Sequence, residues 1–403
     1  MKLLRALLPV AFAAVTAVSA SSALAQQSCQ REGSFEAWLQ GVHAEAAGMG
    51  LSESAINSAL GSVRFDPAIV KKDRAQGVFA QDFLQFSDRM VSSDRLQRGP
   101  SHIKKMASTF QRIEQQFGVP APVLVAFWGL ETDFGAFNGD GPTLTSLATL
   151  AYDCRRPDLF RRQLLAAIAV IDRGDLSASE MRGPWAGEVG QVQFLMEHYL
   201  NYGVDFDGDG RVNMLKSSAD ALASAANYMQ AIGWRAGEPW LQEVGVPQEL
   251  PWEQADITIK LPVSQWASWG VTKADGSPLS GGPNASLLLP MGRNGPAFLA
   301  YPNFDVYIEW NNSLVYSTTA AYLATRFAGA PKVHRGHAPD PMSTAEVKEV
   351  QKLLQARGYE VGKIDGIIGL ATRAAVKDAQ LKLGLPADSY PDRTLLQRLR
   401  SGA

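Results

Sequence analysis

An unbroken apolar run that ends in a single carboxylate constrains the fold of this chain more than any other segment. The eight residues Val123–Leu130 are all non-polar, and Glu131 follows directly. Pro120 and Pro122 stand where a helix begins, and Gly135 stands where one can end. A helix that is apolar on every side has to be buried inside a folded domain. The run therefore predicts a core helix.

The same run places Glu131 at the C-terminal end of the predicted buried helix. Burial disfavours an ionised carboxylate, and the negative end of the helix dipole acts in the same direction. A glutamate that keeps its proton near neutral pH is suited to act as a general acid. On its own, the segment is also typical of a core helix whose last polar residue meets solvent, so both interpretations stay open at this point.

The first 25 residues have the composition of a secretory signal peptide. A positive start is followed by an apolar stretch over 7–18 and by an A-x-A cleavage site that ends at Ala25. We therefore expect residues 1–25 to be removed and the mature protein to reach the periplasm. The Gln-Gln-Ser before Cys29 matches a lipoprotein signal poorly, so we expect no lipid anchor. No later segment is long and apolar enough to predict a membrane span.

Composition narrows the class of protein further. The formal net charge of −2 argues against nucleic acid as a partner. A length of 403 residues, 46% of them hydrophobic, suffices for a large core and for more than one domain. Cys29 and Cys154 are the two cysteines. In an oxidising compartment they either form a disulfide, which we favour, or remain free thiols.

Helical periodicity dominates the chain from residue 35 to residue 233. Between about 245 and 310, clusters of Gly, Pro, Asn and Asp separate short segments that are rich in β-formers, so we expect a small sheet there. The candidate strands are 257–261, 286–290, 297–301 and 306–308. A helix over 318–327 follows, and a proline-rich linker is predicted at 329–342.

A compact unit follows the linker, over 343–403. We predict three helices in it, at 344–357, 371–383 and 393–399, with a glycine-rich turn at 362–369 before the second. A unit this small on a linker is more often a binding module than an enzyme. The chain as a whole is predicted to be mainly α-helical, with a small β-containing part and a C-terminal three-helix module.

This C-terminal unit resembles the peptidoglycan-binding domain type 1 family. The matching motifs are D-G-x-x-G at 365–369, T-x-x-A-V at 372–376 and Q-x-x-x-G-L at 380–385. The Asp and Gly residues of the first motif are turn formers and the aliphatic residues form a small core, so the motif residues are mostly structural. The resemblance implies binding to the glycan strands or stem peptides of peptidoglycan.

An acidic loop in the helical part of the chain before residue 233 has the spacing of a calcium-binding loop. Its candidate ligands are the carboxylates of Asp205, Asp207, Asp209 and Asp220 and the carbonyl oxygen of Arg211. The twelfth position is Lys216 where a bidentate glutamate is expected, so Asp220 would close the site through a longer return. The loop predicts one structural Ca²⁺, the alternative being an acidic turn without metal. We expect no organic cofactor.

A segment rich in glycine and glutamine lies at 183–194. Its glycines allow the backbone to approach a ligand closely, while Trp185 and Gln193 offer an aromatic face and an amide. Sugar binding needs these features, but a glycine-rich turn that packs on a helix has the same composition.

In their order along the chain, these motifs resemble the B-type lytic murein transglycosylases from about Phe35 to Phe327. The single catalytic acid/base of that family lies in a G-x-E-T motif, which matches Glu131. Its W-A-G-x-x-G-x-x-Q-F motif matches 185–194, and its Y-N-x-S motif matches 310–313. The resemblance implies a lysozyme-like helical catalytic domain over 26–328.

The resemblance also implies which residues bind the substrate, namely Arg155, Arg156, Trp185, Gly187, Gly190, Gln193, Tyr228, Trp310 and Asn311. Three positions depart from the family's pattern. Pro184 replaces a serine, Trp310 replaces a tyrosine, and Glu188 stands where many relatives have a small or apolar residue. The first two changes remove hydroxyl groups near the expected site, and none of the three touches the acid.

The activity implied by the resemblance is cleavage of the β-1,4 bond between MurNAc and GlcNAc without water. The C6 hydroxyl of MurNAc attacks its own anomeric carbon and leaves a 1,6-anhydro end. Glu131 would serve alone as acid and then base, since Asp133 is predicted to lie off its helical face. Two alternatives stay open: a hydrolytic muramidase, and a peptidoglycan-binding scaffold whose catalysis is impaired. We expect a monomer, with other cell-wall enzymes as candidate partners.

Overall fold

The computed structural model describes residues 33–75 and 81–402, so the predicted signal peptide and Cys29 lie outside the described residues. Within these ranges the chain forms seventeen α-helices, six short strands and one 3-10 helix at Trp252–Gln254. The helices before the main sheet are α1 (Phe35–Gly48), α2 (Glu53–Leu60), α3 (Pro67–Arg74), α4 (Phe83–Met90), α5 (Ser93–Lys105), α6 (Ala107–Phe117), α7 (Ala121–Thr132), α8 (Thr143–Tyr152), α9 (Pro157–Asp172), α10 (Met196–Tyr202) and α11 (Ser218–Ala231). This architecture confirms the predicted mainly helical fold.

The remaining helices flank the small sheet and form the C-terminal module. They are α12 (Val263–Ser268), α13 (Pro302–Trp310), α14 (Leu314–Phe327), α15 (Thr344–Gln355), α16 (Leu370–Lys382) and α17 (Arg393–Arg400). The last three confirm the helices predicted in the module. Helix α15 begins with a capping box, in which Ser343 and Glu346 satisfy each other's backbone N–H groups.

The strands form two antiparallel sheets. A two-stranded sheet pairs β1 (Gly141–Pro142) with β2 (Arg182–Gly183). The main sheet has the order β4-β3-β6-β5. Its strands are β3 (Leu241–Gly245), β4 (Thr272–Lys273), β5 (Ser286–Leu288) and β6 (Ala297–Ala300). One face of this sheet packs with Trp252 and Trp266 into a small core, while side chains such as Leu241 and Phe298 belong to the main helical core.

Two of the four predicted strands are confirmed, as β5 and β6, and two are wrong. Residues 257–258 form a turn, because the Asp256 carboxylate accepts from the amide of Thr258 at 2.9 Å and its carbonyl accepts from the amide of Ile259 at 3.0 Å. Leu261 makes just an isolated bridge with Ala285. Residues 306–308 belong to α13, because Pro302 begins a helix there. Strands β3 and β4 lie outside the predicted segments.

Helix α7 lies at the centre of the main core. All of its residues are buried except Pro122 and Glu131. It packs against α14 on one side and α5 on another. Side chains such as Phe127 and Leu124 are completely buried, and each contributes roughly 2 kcal/mol of hydrophobic stabilisation. The predicted apolar helix is therefore confirmed, and its burial fixes the position of Glu131.

The C-terminal module has its own small core and is docked on the sheet region. The buried Arg373 donates from Nη2 to the carbonyl oxygen of Leu289 at 2.7 Å. Lys377 forms an ion pair with Asp256 at 2.8 Å. A third polar contact joins Arg293 Nη1 to the Asp388 carboxylate at 3.2 Å.

The segment predicted as a linker contains no helix or strand between residues 330 and 343, and it lies against the rest of the chain. Val333 is buried, Arg335 pairs with Asp88 at 2.7 Å, and the His337 amide donates to the carbonyl of Asn294 at 2.6 Å. The module is therefore held close to the catalytic part of the chain. No helix among the described residues is long and apolar enough to cross a membrane.

Candidate active site

Glu131 lies in the last turn of α7, and two side chains donate to its carboxylate. Trp310 at the end of α13 donates from Nε1 to Oε1 of Glu131 at 3.2 Å. The hydroxyl of Tyr316, in the first turn of α14, donates to the same oxygen in a short hydrogen bond. Helix α7 and the consecutive helices α13 and α14, which follow it by more than 150 residues, thus meet at one carboxylate.

Burial raises the pKa of Glu131 to about 7, and the negative charge of Glu188 acts in the same direction. The hydrogen bonds from Tyr316 and Trp310 lower the pKa, because they stabilise the ionised carboxylate. Burial has the larger effect. Glu131 therefore holds a proton close to neutral pH and can also take one back, as a group that alternates between acid and base must do.

The turn after α7 holds this glutamate in place. Asp133 and Phe134 both have left-handed backbone, with φ of 53° and 63°. The Asp133 carboxylate accepts from Arg98 at 2.7 Å and from Arg95 at 3.2 Å. These bonds fix a conformation that non-glycine residues rarely adopt. Asp133 is thus bound to two arginines, as expected for a residue that does not share the role of Glu131.

A second set of bonds ties α7 to the glycine-rich segment. Thr132 donates from Oγ1 to the carbonyl of Gln191 at 2.6 Å, and Trp128 donates from Nε1 to the Gln191 side chain at 3.0 Å. Because Gln191 is buried, these bonds are shielded from water and hold the two segments in register.

A cavity of about 520 Å³ opens beside Glu131. Six of the residues predicted to bind substrate line it, namely Arg156, Trp185, Gln193, Tyr228, Trp310 and Asn311. The Tyr228 ring stacks on His198 at 4.4 Å and lies 5.7 Å from Trp310. Aromatic faces beside amide and charged groups are suited to the apolar faces and hydroxyl groups of sugars.

Two predicted binding residues, Gly187 and Gly190, lie behind the cavity wall. Both have left-handed backbone, with φ of +89° and +86°. A Cβ on Gly187 would lie 2.3 Å from the side chain of Leu147, and one on Gly190 would lie 2.8 Å from Cβ of Met214. These glycines allow the loop to pack closely and so fix its path.

The two predicted arginines share one acid. Arg155 and Arg156 both bind the buried Asp73 carboxylate, with N–O distances of 2.5 Å and 2.6 Å. Arg156 also lies 4.9 Å from the ring of Phe160 and reaches the cavity wall, whereas Arg155 is not among the residues that line it. Arg156 is thus the one of the pair placed to meet a ligand.

A second cavity, of about 610 Å³, adjoins Glu131 on another side. Glu131 and Asn311 line both cavities. Part of the second wall belongs to the C-terminal module, through Gly366–Gly369, Arg373 and Tyr390. The carboxylate therefore lies where two depressions meet, and the docked module borders one of them.

In the predicted calcium loop, Asp205, Asp207 and Asp209 bring carboxylate oxygens within 4.8 Å of one another. Convergent carboxylates of this kind fit a hard cation such as Ca²⁺. Asp220 has a different place: it is buried and accepts from the amides of Phe206 at 2.9 Å and Asn213 at 2.8 Å. It supports the backbone of the loop.

Lys216, at the twelfth position of the loop, forms an ion pair with Glu180 at 2.6 Å. The main chain of Arg211 donates its amide to Asp209 at 3.1 Å, in a turn within the loop. The lysine side chain is thus directed to an acid outside the loop rather than replacing the missing glutamate.

The predicted disulfide involves Cys29, which lies beyond the described residues, and it stays a prediction.

Two residues of the site are not predicted from the sequence: Tyr316 is not identified there, and Glu188 is given no role. The local sequence says little about Tyr316, which is marked just by its position three residues after Ser313, the N-cap of α14. Glu188 was recognised only as a departure from the family's pattern, and the structure places it on the wall of the same cavity as Glu131.

Two known protein families match two separate parts of this chain. Residues 34–325 match the family described as "Transglycosylase SLT domain", and residues 343–399 match a peptidoglycan binding domain. Membrane-bound lytic murein transglycosylase B of Escherichia coli (strain K12) is 30% identical over 237 residues, which are 58% of this chain and 64% of that protein. The match thus spans less than two thirds of that relative's length.

Solved structures show the same likeness. SltB3 from Pseudomonas aeruginosa, in complex with NAG-anhNAM-pentapeptide, superposes with a TM-score of 0.84 and 39% identity, over 92% of this chain and 100% of that one. The Escherichia coli lytic transglycosylase Slt35 in complex with calcium has a TM-score of 0.61 and 27% identity, over 72% of this chain and 92% of that one.

Proposed function

The chain belongs to the Transglycosylase SLT domain family, and on that basis we propose that it is a peptidoglycan lytic transglycosylase. Its reaction is cleavage of the β-1,4 bond between MurNAc and GlcNAc, with formation of a 1,6-anhydro-MurNAc end. The observation that carries the proposal is the position of the half-buried Glu131 at the junction of two cavities, where loss of hydration raises the pKa of its carboxyl to about 7.

In the first step, Glu131 donates its proton to the glycosidic oxygen as the bond from this oxygen to the anomeric carbon of MurNAc breaks. The electron pair of that bond leaves with GlcNAc, and positive charge develops at the anomeric carbon. The 2-acetamido oxygen of the same sugar shares its electrons with that carbon. Glu131 is left as a carboxylate, which Tyr316 and Trp310 stabilise by hydrogen bonding.

In the second step, the C6 hydroxyl of MurNAc attacks the anomeric carbon and displaces the acetamido oxygen. Its proton passes to the Glu131 carboxylate, so the enzyme returns to its starting state. No water is consumed, and Glu131 is the only group that transfers a proton. A pKa of about 7 suits both directions of transfer near neutral pH.

The wall of the 520 Å³ cavity supports a sugar substrate. Trp185, Tyr228 and Trp310 offer ring faces, while Gln193 and Asn311 offer amide groups to hydroxyl and acetamido groups. Arg156 is placed to meet a carboxylate of the lactyl group or stem peptide. The C-terminal module over 343–403 binds the glycan strand or its peptides, and its match to a peptidoglycan binding domain supports this role.

A structural Ca²⁺ bound by Asp205, Asp207 and Asp209 is part of the proposal. These three acids converge, and Slt35 is a relative whose structure was solved in complex with calcium. The ion would stabilise the loop and take no part in the chemistry. We further propose export to the periplasm after removal of residues 1–25, a catalytic domain over 26–328 and a linker over 329–342.

Digestion of purified murein sacculi tests the function. The wild-type chain, Glu131→Gln and the control Glu114→Gln, an exposed acid on α6, are incubated with sacculi, and released muropeptides are weighed by mass spectrometry. We expect anhydro products from the wild type and the control, and release slower by roughly 1,000-fold from Glu131→Gln.

Other outcomes identify the alternatives. Products heavier by one water indicate a hydrolytic muramidase. Binding without release by the wild type indicates a scaffold. Equal release by Glu131→Gln and the wild type shows that Glu131 is not the acid.

A further inference from the structure

A second carboxylate reaches the cavity beside Glu131. Glu188 lines the 520 Å³ cavity together with Glu131, Gln193 and Trp310. Its side chain is part-buried, and within the described part of the chain it makes no hydrogen bond or ion pair with another residue. A part-buried carboxylate without a charged or hydrogen-bonding partner loses part of its hydration and gains nothing in return from the protein. The Glu188 carboxylate is therefore available to interact with a ligand in the cavity.

The backbone around Glu188 is rigid. Its carbonyl oxygen packs so closely on Gly183 that a Cβ there would lie 1.9 Å from it. The next residue, Val189, forms a bridge with Phe194, with N–O distances of 2.9 Å and 3.0 Å. Because the loop is fixed on both sides, the Glu188 side chain starts from a defined position on the cavity wall.

The charges near Glu188 do not neutralise it by direct contact. Arg156 lines the same cavity, but its guanidinium binds Asp73 at 2.6 Å. The other titratable side chains of this cavity are Glu131, His198 and Tyr228, and the exposed Glu309 and buried Tyr316 lie near them. Glu188 is therefore the negative group of the cavity wall that is available to a bound sugar.

We propose that Glu188 is a further catalytic residue, whose carboxylate contacts the sugar being cleaved and stabilises the positive charge that develops at its anomeric carbon. The inference rests on the proposed function and deepens it, because Glu131 remains the group that transfers the proton. A fixed negative group beside an oxocarbenium-like centre lowers the energy of the transition state more than that of the ground state. No additional reactant is needed.

The two carboxyls differ in the charges that surround them. Burial raises the pKa of Glu188, while the positive charge of Arg156 opposes the rise. The pKa of Glu131 is raised by burial and, in addition, by the charge of Glu188. Glu131 thus has a second influence that favours its protonated form, whereas the charge of Arg156 favours the ionised form of Glu188. Neighbouring carboxyls whose environments separate their pKa values commonly divide the two tasks in this way.

The test compares the wild type with Glu188→Gln on a soluble peptidoglycan fragment, measuring kcat, KM and the pH profile. We expect kcat to fall by roughly 100-fold with little change in KM. We also expect the loss of activity at alkaline pH to begin at lower pH, because removal of a negative neighbour lowers the pKa of Glu131. The control Glu114→Gln removes the same charge from an exposed position on α6, outside the cavity wall, and should leave both quantities unchanged.

A second variant separates catalysis from folding. In Glu188→Ala, sodium formate should restore part of kcat, whereas sodium chloride at equal ionic strength should not. A wild-type kcat in Glu188→Gln overturns the proposal, and so does a fall in kcat with neither a pH shift nor formate rescue. For each variant, kcat is compared with the wild-type kcat for formation of the same product. An active Glu131→Gln, by contrast, overturns the proposed function itself.

Discussion

The hydroxyl of Tyr316 donates a short hydrogen bond to Oε1 of Glu131, across 185 positions of sequence. The bond joins the first turn of α14 to the last turn of α7. It stabilises the charged form of the glutamate, while burial favours the neutral form. The balance of these two effects gives the carboxyl a pKa of about 7, at which it can both donate and accept a proton near neutral pH.

Replacement Tyr316→Phe removes the donor and keeps the ring. Because the lost bond lowers the pKa of Glu131, that pKa should rise above about 7, and the alkaline limit of activity should move to higher pH. We expect kcat to fall roughly 10-fold, since the carboxylate formed in the first step loses a donor. The pH dependence of kcat/KM on a defined fragment measures both effects.

Tyr307→Phe is the matched control for this variant. Tyr307 stacks on Phe127 of α7 at 5.0 Å, and its buried hydroxyl has no hydrogen-bond partner among the described residues. Its removal should leave the pH profile unchanged and the Tm unchanged or raised. A shift of the profile in Tyr307→Phe equal to that in Tyr316→Phe would contradict a specific effect of the Tyr316 bond.

Glu131 should make the folded protein less stable as the pH rises. The unfolded chain releases this proton near pH 4.5, whereas the folded chain keeps it up to about pH 7. Between these values the folded state binds more protons, so its stability decreases with increasing pH. The free energy of unfolding of Glu131→Gln should therefore exceed that of the wild type at pH 8 by on the order of 3 kcal/mol and match it at pH 4. Urea unfolding at both pH values measures the difference, and a constant difference would refute it.

The calcium proposal predicts a Tm that depends on chelation. EDTA should lower the Tm of the wild type, because the ion binds the folded loop. Lys216→Glu places a carboxylate at the twelfth position and brings it near Glu180, so its metal-free form should be less stable and its response to Ca²⁺ larger. Lys216→Gln separates loss of the ion pair from gain of a ligand. An unchanged wild-type Tm with EDTA would count against a bound ion.

Docking of the module depends on the buried Arg373. Arg373→Met removes the bond to the Leu289 carbonyl and should destabilise the interface by about 2 kcal/mol. We expect the module to detach and the radius of gyration in X-ray scattering to increase. Arg357→Met is the control, because Arg357 donates to carbonyl groups within the module, those of Leu353 and Leu399. An equal increase in the control would indicate unfolding of the module instead.

Local signals in the sequence sufficed for the central helix and for the module. The apolar run with prolines at its start predicts α7, because proline favours the first turn of a helix and a buried helix can be apolar on every side. Local composition misled at 306–308, where β-branched residues suggested a strand. Pro302 at the first position of α13 was the stronger signal, because proline favours the start of a helix.

Relationships between distant segments could not be read in the same way. The sequence predicted Glu131 and most of the wall residues, but the donation from Tyr316 depends on how α14 packs against α7. The closeness of Glu188 to Glu131 likewise depends on the docking of the glycine-rich segment through Gln191. Hence a lone acid was expected where the fold brings two carboxyls to one cavity.

The contacts made by Arg373, Lys377 and Asp388 limit how freely the C-terminal module can be exchanged. A module from another protein would leave the Leu289 carbonyl and the Asp256 carboxylate without these partners. The two parts of the chain therefore cannot vary independently at this boundary. A functional chimera has to carry the residues on both sides of the contact. The module and the sheet region on which it is docked therefore have to be transferred together.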